Sequence, residues 1–323
     1  MIKSLVTTII PVYNRPKLLA EAVNSVLGQT YRPIEIIIVD DGSTDDTAKV
    51  ADSLAKDHPQ EIRVIHQKNS GVGSAREAGR LQARGEFIQY LDSDDILMPK
   101  KFELQVAGLR AHLECAVAYG KTRYYEAGGI PRDIPWKRTG EKIETMFPAF
   151  LQSRWWGTST PLYRREIVDR AGAWTSLCRE EDWEYDSRIA ALGVRLYYCD
   201  EFVSEQRGMS SDRLCKNLPL STWQDRAKAH ALIFEHARRA GIDESSPEMR
   251  HFARESFLYS RQCGAEGLVK ESKEFFQLAR TASGAKRGDG LDFILYQFLT
   301  RIFGWVLIGK LSCFSCKFRK QEL

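Results

Sequence analysis

The fold is decided by residues 34–45, which read IEIIIVDDGSTD. A nearly continuous apolar run, rich in β-branched residues, ends abruptly in two aspartates, a glycine and a serine that can cap a helix. A strand that is apolar on both faces needs cover on both faces, which is typical of parallel sheets flanked by helices. Residues 34–45 therefore predict a strand, a turn and a helix start within an α/β fold.

The same alternation of strand and helix signals extends to about residue 120. Further strand signals lie at 5–12, 63–67, 87–91 and 115–119, and helix signals begin at Pro16, Val72 and Pro99. In such sheets, ligands bind beyond the carboxyl ends of the strands. One rim of the sheet should therefore collect three polar groups: Tyr13-Asn14-Arg15, Asp40-Asp41, and Asp92 to Asp95.

Composition excludes several classes of function. The 323-residue chain is 43% hydrophobic and 28% charged, as globular proteins are, and its net charge of +4 is modest. No basic stripe with interleaved aromatics precedes the C-terminal third, so nucleic acid is not an expected partner. The six histidines do not cluster and form no HExxH motif, so the sequence does not favour hydrolase triads or zinc proteases. Seven scattered cysteines favour reduced thiols and a cytoplasmic location.

The run Asp92-Ser93-Asp94-Asp95 directly follows a predicted strand. Carboxylates this close repel one another unless a cation or hydrogen-bond donors compensate. Hard divalent ions such as Mg²⁺ and Mn²⁺ take oxygen ligands and commonly bridge carboxylates to phosphates. A metal site at the rim and a solvated acidic loop or helix cap are both consistent with the run, and its position at a strand end favours the metal.

Three other motifs allow a chemical and a structural interpretation each. Asp40-Asp41 can accept from a base or ribose, or can cap a turn. In the motif at 71–76, two glycines lie just before a predicted helix, and Arg76 follows them. Glycines, a helix N-terminus and an arginine suit a phosphate, but the glycines alone also suit a tight turn. Glu181 and Asp182 open a predicted helix, where carboxylates either complement the helix dipole or supply a general base.

The second half of the chain changes character. After about Asp212 the helical period dominates, with segments near 220–240, 247–263 and 268–282. We therefore predict three regions: an α/β domain over 1–212, a helical extension over 213–288, and an apolar, basic C-terminal helix over 289–323.

The C-terminal stretch from Leu291 to Gly309 is strongly apolar and aromatic, and Lys310 and a basic end follow it. Its length approaches that of a membrane span, but Asp292, Gln297 and Arg301 interrupt it. An interfacial helix beside an anionic membrane fits this pattern, which predicts peripheral contact with the cytoplasmic face of the inner membrane. Packing on the protein itself or on another subunit is the alternative.

Taken together, the motifs resemble those of glycosyltransferase family 2, the inverting enzymes of GT-A fold. The matching stretches are IIPVYN at 9–14, SVLGQTY at 25–31, IVDDGSTD at 38–45, GVGSAR at 71–76, GEFI at 85–88 and LDSDD at 91–95. The resemblance is strong over about 4–120, looser over about 155–210, and absent from the C-terminal hundred residues or so. It implies a GT-A-type nucleotide-binding domain with a mainly parallel central sheet, followed here by a helical region.

The resemblance also implies roles for individual residues. The implied nucleotide-sugar site consists of Pro11, Tyr13, Asn14, Asp40, Asp41, Arg76, Asp92, Ser93 and Asp94. Within it, Asp94 and Asp92 would serve the divalent metal, Mn²⁺ or Mg²⁺. Asp182, with Glu181 beside it, looks like the catalytic base of the family.

The implied reaction moves one sugar from a nucleoside-diphosphate sugar, with UDP-sugar favoured, to a saccharide or lipid-linked saccharide in cell-surface polysaccharide synthesis. Two departures from the family pattern bear on the diphosphate. Glu77 stands where many members carry Asn, and Arg207 stands near the place of a His that assists the metal–diphosphate site. A nucleotidyltransferase acting on a sugar phosphate and a non-catalytic sugar-nucleotide-binding protein of the same fold are the alternatives.

Four side chains are candidates for the acceptor cleft: Trp155, Trp156, Arg164 and Trp183. Aromatic faces suit sugar rings, but large aromatic side chains are equally typical of a core. Their order in the sequence does not separate the two interpretations.

Overall fold

The computed structural model describes residues 1–126, 129–130, 133–208, 221–288 and 290–319. The chain forms two compact units: Met1–Met146 with Arg154–Lys216, and Phe147–Ser153 with Asn217–Leu323. The predicted boundary at 212/213 lies outside the described residues. No sequence pattern predicts that the short segment Phe147–Ser153 belongs with the second unit.

The first unit is an α/β sheet with flanking helices. Its strands are β1 (Ile2–Val12), β2 (Ile34–Asp40), β3 (Ile62–His66), β4 (Gly85–Tyr90), β5 (Ile96–Leu97), β6 (Cys115–Glu126), β7 (Leu162–Arg164) and β8 (Arg195–Gly208). Its helices are α1 (Pro16–Leu27), α2 (Thr47–Asp57), α3 (Val72–Gln82), α4 (Lys101–Ala111), α5 (Arg165–Ala171) and α6 (Glu181–Ala190). The described strands form one sheet in the order β3-β2-β1-β4-β7-β6-β8-β5.

The sheet combines a parallel half with a mixed half. β3, β2, β1 and β4 pair in parallel, as the apolar runs predicted. β7 pairs antiparallel with both β4 and β6, while β8 runs parallel to β6 and antiparallel to β5. The predicted α/β class is confirmed, but the sheet is mixed because three-residue β7 and two-residue β5 insert reversed pairings.

The parallel half places the predicted motifs at one edge. Residues of β2 are buried throughout, and β1 is buried from Leu5 onward, so both strands need cover on both faces. Helix α3 lies close to the sheet because Gly79 has no side chain: a Cβ there would stand 2.4 Å from Ile9 Cγ2. Because β1, β2 and β4 pair in parallel, the loops that follow these three strands lie at the same edge of the sheet.

The second unit is helical in its described part. It contains a 3₁₀ turn (Ala149–Leu151) and helices α7 (Ser221–Arg239), α8 (Pro247–Ala265), α9 (Val269–Ala282), α10 (Gly284–Gly288) and α11 (Leu291–Arg319). One of its cores joins Phe276 and Ala279 of α9 to Phe293, Tyr296 and Ile308 of α11. The predicted C-terminal helix is not continuous, because Gly304 has non-helical backbone angles (φ 80°, ψ 155°) and kinks it.

Candidate active site

The loop after β2 is organised by Asp41, which is buried. Asp41 Oδ1 accepts hydrogen bonds from Gln67 Nε2 (2.7 Å) and from the backbone N–H of Ser70 (2.8 Å). Its Oδ2 accepts from the backbone N–H of Gly71 at 2.9 Å. Asp41 therefore ties the end of β2 to the glycine-containing loop that starts α3.

Asp40 is also buried and has different partners. Its carboxylate accepts from the Ser43 backbone N–H (3.1 Å) and contacts His66 Nδ1 (3.0 Å). Burial alone would raise the pKa of Asp40, but the hydrogen bonds from Ser43 and His66 outweigh it and lower the pKa. Hydrogen bonds to Asp40 and Asp52 raise the pKa of His66 in turn.

The loop after β1 is locked to the loop after β2. Asn14, which has a left-handed backbone (φ 51°), donates its N–H to Ser43 Oγ at 3.0 Å. Its side-chain oxygen accepts from the Thr44 backbone N–H at 2.8 Å. Pro11 is buried at the end of β1, whereas Tyr13 is 37% exposed. Tyr13 therefore offers an accessible aromatic ring next to an ordered loop.

The acidic run after β4 is neutralised by arginines and a hydroxyl. Asp92 Oδ1 accepts from Arg76 Nη2 (2.8 Å), and Asp94 Oδ2 accepts from Arg15 Nη1 (2.7 Å). Asp95 accepts from Ser159 Oγ (2.7 Å). Ser93 itself is buried. The repulsion that the sequence predicted is thus met within the protein, and Arg15 is a partner that we did not assign from the sequence.

Despite these partners, burial raises the pKa of two carboxyl groups in this run. It raises the pKa of Asp94 against the lowering effect of Arg15, and the charge of Asp92 adds to the rise. Burial and the charges of Asp92 and Asp94 raise the pKa of Asp95 well above its usual value. A cation near Asp94 would relieve this repulsion.

Arg76 connects the acidic run to helix α6. Its guanidinium donates to Asp92 through Nη2 and to Glu181 Oε1 through Nη1, both at 2.8 Å, and its side chain is only 3% exposed. The guanidinium also lies over the Trp174 ring, 4.7 Å from the centroid. Two residues that are 105 positions apart in sequence, Arg76 and Glu181, therefore form one buried ion pair.

Asp182 lies in the first turn of α6, where the helix dipole favours a negative charge. Its carboxylate accepts from Arg154 Nη1 and from the Trp183 backbone N–H (2.7 Å), and its side chain is 29% exposed. Burial alone would raise the pKa of Asp182, but the charges of Arg154, Arg76 and Lys137 lower it. Asp182 is consequently ionised at neutral pH and partly open to solvent.

Arg154 is held by a second carboxylate behind Asp182. Its Nε donates to Asp186 Oδ2 at 2.6 Å, and Asp186 also accepts from Trp156 Nε1 (3.0 Å) and Tyr163 Oη (2.7 Å). Arg154 and Asp186 are both buried. The sequence analysis missed this network; its signal is the i, i+4 spacing of Asp182 and Asp186, which puts both on one helix face.

Lys137 adds a further positive group near Asp182. Burial lowers its pKa to about 8, and the charge of Arg154 adds to the lowering. Its Nζ donates to the Trp156 carbonyl at 3.3 Å and lies 4.5 Å from the Trp136 ring centroid. Lys137 therefore loses its charge at a lower pH than an ordinary lysine.

The structure does not place the predicted acceptor residues on an open rim. Trp156 is completely buried, and Trp155 and Trp183 are 2% and 8% exposed. Arg164 donates to the backbone oxygens of Cys115 and Leu109 beside Phe87, at the opposite end of β4 from Asp92. Burial leaves Trp155, Trp156 and Trp183 without the accessible ring face that a sugar would need, and Arg164 is held by backbone oxygens. The acceptor assignment of these four residues stays a prediction that their positions do not support.

Arg207, the residue predicted for a diphosphate, lies beside the acidic run. Its Nε donates to the backbone oxygen of Asp94 at 2.9 Å, and its Nη1 pairs with Glu21. Its buried Nη2 makes no hydrogen bond to any described residue. One guanidinium nitrogen next to Asp94 thus retains its capacity to donate.

The described residues contain no group of three or more His, Cys, Asp or Glu side chains arranged to hold a metal. The two carboxylates that the sequence predicted as metal ligands, Asp92 and Asp94, each accept a hydrogen bond from an arginine. A divalent ion would therefore find two protein carboxylates and would need its other ligands from a bound molecule or water.

Comparisons with known proteins agree on one family. The model described as Glycosyl transferase family 2 matches residues 7–170. An uncharacterized glycosyltransferase of Rickettsia felis is 37% identical over 148 residues, which cover 46% of this chain and 24% of that protein. Chondroitin synthase of Escherichia coli is 41% identical over 125 residues, which cover 39% of this chain and 18% of that protein. Glycosyltransferase EpsJ of Bacillus subtilis, also uncharacterized, is 33% identical over 175 residues, covering 52% and 50%. The chain thus matches half or less of the length of these relatives.

Solved structures resemble the chain over nearly its whole length. TarS 1-349 of S. aureus in complex with UDP-GlcNAc has a TM-score of 0.72 and 19% identity, covering 96% of this chain and 91% of that one. The mannosyltransferase PcManGT of Pyrobaculum calidifontis, in complex with GDP-Man and Mn²⁺, has a TM-score of 0.53 and 16% identity, covering 95% and 86%. At these identities the likeness shows the fold, which is that of GT-A glycosyltransferases with a C-terminal helical region.

Proposed function

Because the chain belongs to glycosyltransferase family 2, we propose that it transfers one sugar from a nucleoside-diphosphate sugar, with UDP-sugar the favoured donor, to a saccharide or lipid-linked saccharide. The observation that carries the proposal is the position of Arg76. It joins Asp92, on the proposed donor side, to Glu181, the neighbour of the proposed base. Donor and acceptor groups are thereby fixed relative to each other, as a single displacement requires.

On the donor side, the base would bind at the locked loops after β1 and β2. Tyr13 offers an exposed ring for stacking, and Asp41 sits beneath the loop with three hydrogen bonds already accepted. A carboxylate has about four lone-pair sites, so Asp41 retains capacity for one base N–H. Asp40 would support Asp41 through the Ser43 turn rather than contact the base, since its oxygens face Ser43 and His66.

A divalent metal fits at Asp94 and Asp92. Burial, and after it the charge of Asp92, raises the pKa of Asp94 against the lowering effect of Arg15, and a cation bound beside this carboxylate would stabilise its ionised form. Mn²⁺ or Mg²⁺ bound there would supply positive charge for the leaving diphosphate. Arg207, whose Nη2 has no described partner, would add a hydrogen bond to that diphosphate.

On the acceptor side, Asp182 would act as the general base. Its carboxylate is ionised because of Arg154, and it is accessible enough to reach an acceptor hydroxyl. As the acceptor oxygen bonds to the anomeric carbon, the bond to the nucleoside diphosphate breaks and the hydroxyl proton passes to Asp182. Glu181 would position the site through Arg76, since its carboxylate is buried against that guanidinium.

The experiment that tests this assignment compares Asp182→Asn with Asp57→Asn, which removes an exposed carboxylate at the end of α2. Asp182→Asn should lower the turnover number at least 100-fold while the Kd for UDP, measured by calorimetry with Mn²⁺, changes less than threefold. Asp57→Asn should leave both unchanged. Wild-type turnover in Asp182→Asn would remove the base assignment.

Donor identity can be resolved by thermal shift. A sugar nucleotide at 100 times its Kd stabilises the folded state by about 2.7 kcal/mol, so the true donor should raise Tm more than other nucleotides do. A panel of UDP-, GDP- and dTDP-sugars, each with and without Mn²⁺, would discriminate among them. A Tm that responds to no sugar nucleotide would contradict the proposal.

A further inference from the structure

The turn that carries Lys137 has a strained backbone and is held on both sides. Lys137 has a left-handed conformation (φ 53°), which is uncommon for a residue with a side chain. Before it, Trp136 donates its backbone N–H to the Thr122 carbonyl of β6 at 2.7 Å, and after it, Arg138 donates its backbone N–H to the Trp155 carbonyl at 3.3 Å. Such a conformation persists where its surroundings fix it, and these conformations concentrate at functional sites. The backbone that presents the Lys137 side chain is therefore fixed.

The Lys137 amine lies on the side of the site that holds the proposed base. Its Nζ donates to the carbonyl of Trp156 at 3.3 Å. Arg154, in the same segment as Trp156, binds the carboxylate of Asp182. Burial and the charge of Arg154 lower the pKa of Lys137 to about 8, against the raising effect of Asp182. The amine is therefore within electrostatic reach of the proposed base.

Lys137 has hydrogen-bonding capacity that the described residues do not use. An ammonium has three donors, and the Trp156 carbonyl accepts from one of them. Lys137 belongs to none of the ion pairs found among the described residues, because the nearby carboxylates of Asp182 and Asp186 pair with Arg154. The residue as a whole is exposed, although protein surrounds much of its amine. A bound molecule can therefore reach the remaining donors.

We propose that Lys137 selects an acceptor that carries a negatively charged group, a carboxylate or a phosphate, close to the attacking hydroxyl. This inference rests on the proposed function, since it takes Asp182 as the base that binds that hydroxyl. A neutral saccharide hydroxyl would also accept from Nζ, but an anionic oxygen forms the stronger charge-assisted hydrogen bond and adds Coulomb attraction in a partly desolvated place. An acidic saccharide, either a uronic acid or a phosphorylated sugar, is therefore the acceptor class that this site favours.

The test is calorimetric binding of matched probes to the full chain, saturated with UDP and Mg²⁺, at neutral pH. Methyl glucoside, methyl glucuronide and glucose 6-phosphate share one sugar ring and carry a hydroxyl, a carboxylate and a phosphate, respectively. Bound UDP keeps the phosphate probe out of the donor site. One of the two anionic probes should bind at least about tenfold more tightly than the glucoside. The probe that does so separates a uronic acid acceptor from a phosphorylated one.

Variants of Lys137 assign this preference to its charge. Lys137→Met should bind the anionic probe no more tightly than the glucoside, whereas Lys137→Arg keeps a cation and should retain the preference. Lys56→Met removes an exposed lysine from α2 and is the matched control, which should bind all three probes like the wild type. Far-UV circular dichroism and Tm verify that each variant is folded.

The pH dependence of binding separates an anion at Lys137 from a purely structural role. The charged groups around its amine are Arg154, Asp182 and Asp186. Because the pKa of Lys137 is about 8, affinity for the anionic probe should be greatest below that pH and should fall several-fold between about pH 7 and 9. Lys137→Arg should show no such fall, since arginine stays charged throughout this range.

Three outcomes would overturn the proposal. A wild type that prefers neither anionic probe has no anion site beside the base. A preference that survives in Lys137→Met places the site elsewhere. If Lys137→Met instead changes the preference for UDP-glucuronate over UDP-glucose, the residue reads the donor and not the acceptor. Failure of the proposed function gives a different result: the chain would respond to no sugar nucleotide, whereas the glucuronide and the glucoside are also compared without UDP.

Discussion

Arg154→Met removes the cation that keeps Asp182 ionised, so it should raise the pKa of the proposed base. Arg154 Nη1 lies 2.5 Å from Asp182 Oδ2, and the two side chains are 7% and 29% exposed. Unit charges about 4 Å apart attract by about 4 kcal/mol at an effective dielectric constant of 20. Partial exposure of Asp182 reduces this attraction to roughly half, about 2 kcal/mol, and its loss raises the pKa of Asp182.

The same substitution also costs stability. Asp186 would keep its hydrogen bonds from Trp156 and Tyr163 but would lose its buried cation. Breaking a buried pair from one side typically costs about 3–5 kcal/mol, which lowers Tm by roughly 4–7 °C in a chain of this size. The kinetic assay must therefore run well below the Tm of the variant.

The assay is the turnover number for sugar transfer as a function of pH, at saturating donor and acceptor. In Arg154→Met the acid limb should move to higher pH, because Asp182 must lose its proton to act as a base and Arg154 no longer lowers its pKa. Asp186→Asn is the control: it destabilises the same network but removes a negative charge near Asp182, so its acid limb should stay or move to lower pH. If Arg154→Met loses stability while its acid limb stays in place, Arg154 only supports the fold and does not tune Asp182.

Three further outcomes follow from the site. Asp94→Ala should weaken Mn²⁺-dependent binding of the donor, measured by calorimetry, at least tenfold, while Tm stays within about 3 °C of the wild type. Unchanged donor affinity would exclude Asp94 as a metal ligand. Gly73→Ala should cost about 1–3 kcal/mol in urea unfolding, because its Cβ would stand 2.0 Å from the Thr175 carbonyl oxygen; a neutral effect would show that the α3 start can shift freely. His66→Gln should reduce stability most below about pH 6.5, since a raised pKa in the folded state stabilises below the unfolded pKa and that contribution disappears as pH rises through the folded value. A pH-independent difference between His66→Gln and wild type would contradict the Asp40–His66 interaction.

Local chemistry made much of the first unit predictable. β2 and the turn after it could be derived because burial of a continuous apolar run and the turn preferences of Asp, Gly and Ser act within a few residues. The helix starts at Pro16, Val72 and Glu181 follow from similarly local signals. β7 was not predictable, because its three residues are too short for any period and pair only through the tertiary fold.

The sequence predicted the acidic residues of the site but not the arginines that pair with them. Acidic residues at strand ends stand out in a sequence, whereas Arg154 lies in an aperiodic segment and meets its partners 28 and 32 residues later. Trp156 illustrates the converse case: a tryptophan suits a sugar or a core equally well until the direction of its ring is known. Gly304 is a third case, since an isolated glycine in a helical pattern is tolerated in many helices and only the backbone angles reveal the kink.

The arginine pairing changes what the acidic run can mean. Sequence alone required some cation to offset the carboxylates from Asp92 to Asp95, and a metal was the expected one. In the structure Arg15 and Arg76 provide that offset, so the fold of this rim does not depend on a metal. A donor diphosphate would bring new negative charge to arginines that are already paired, apart from Arg207 Nη2. On the proposed function, the need for a divalent ion therefore arises only when the donor binds. We expect donor binding to depend on the metal and the stability of the fold not to depend on it.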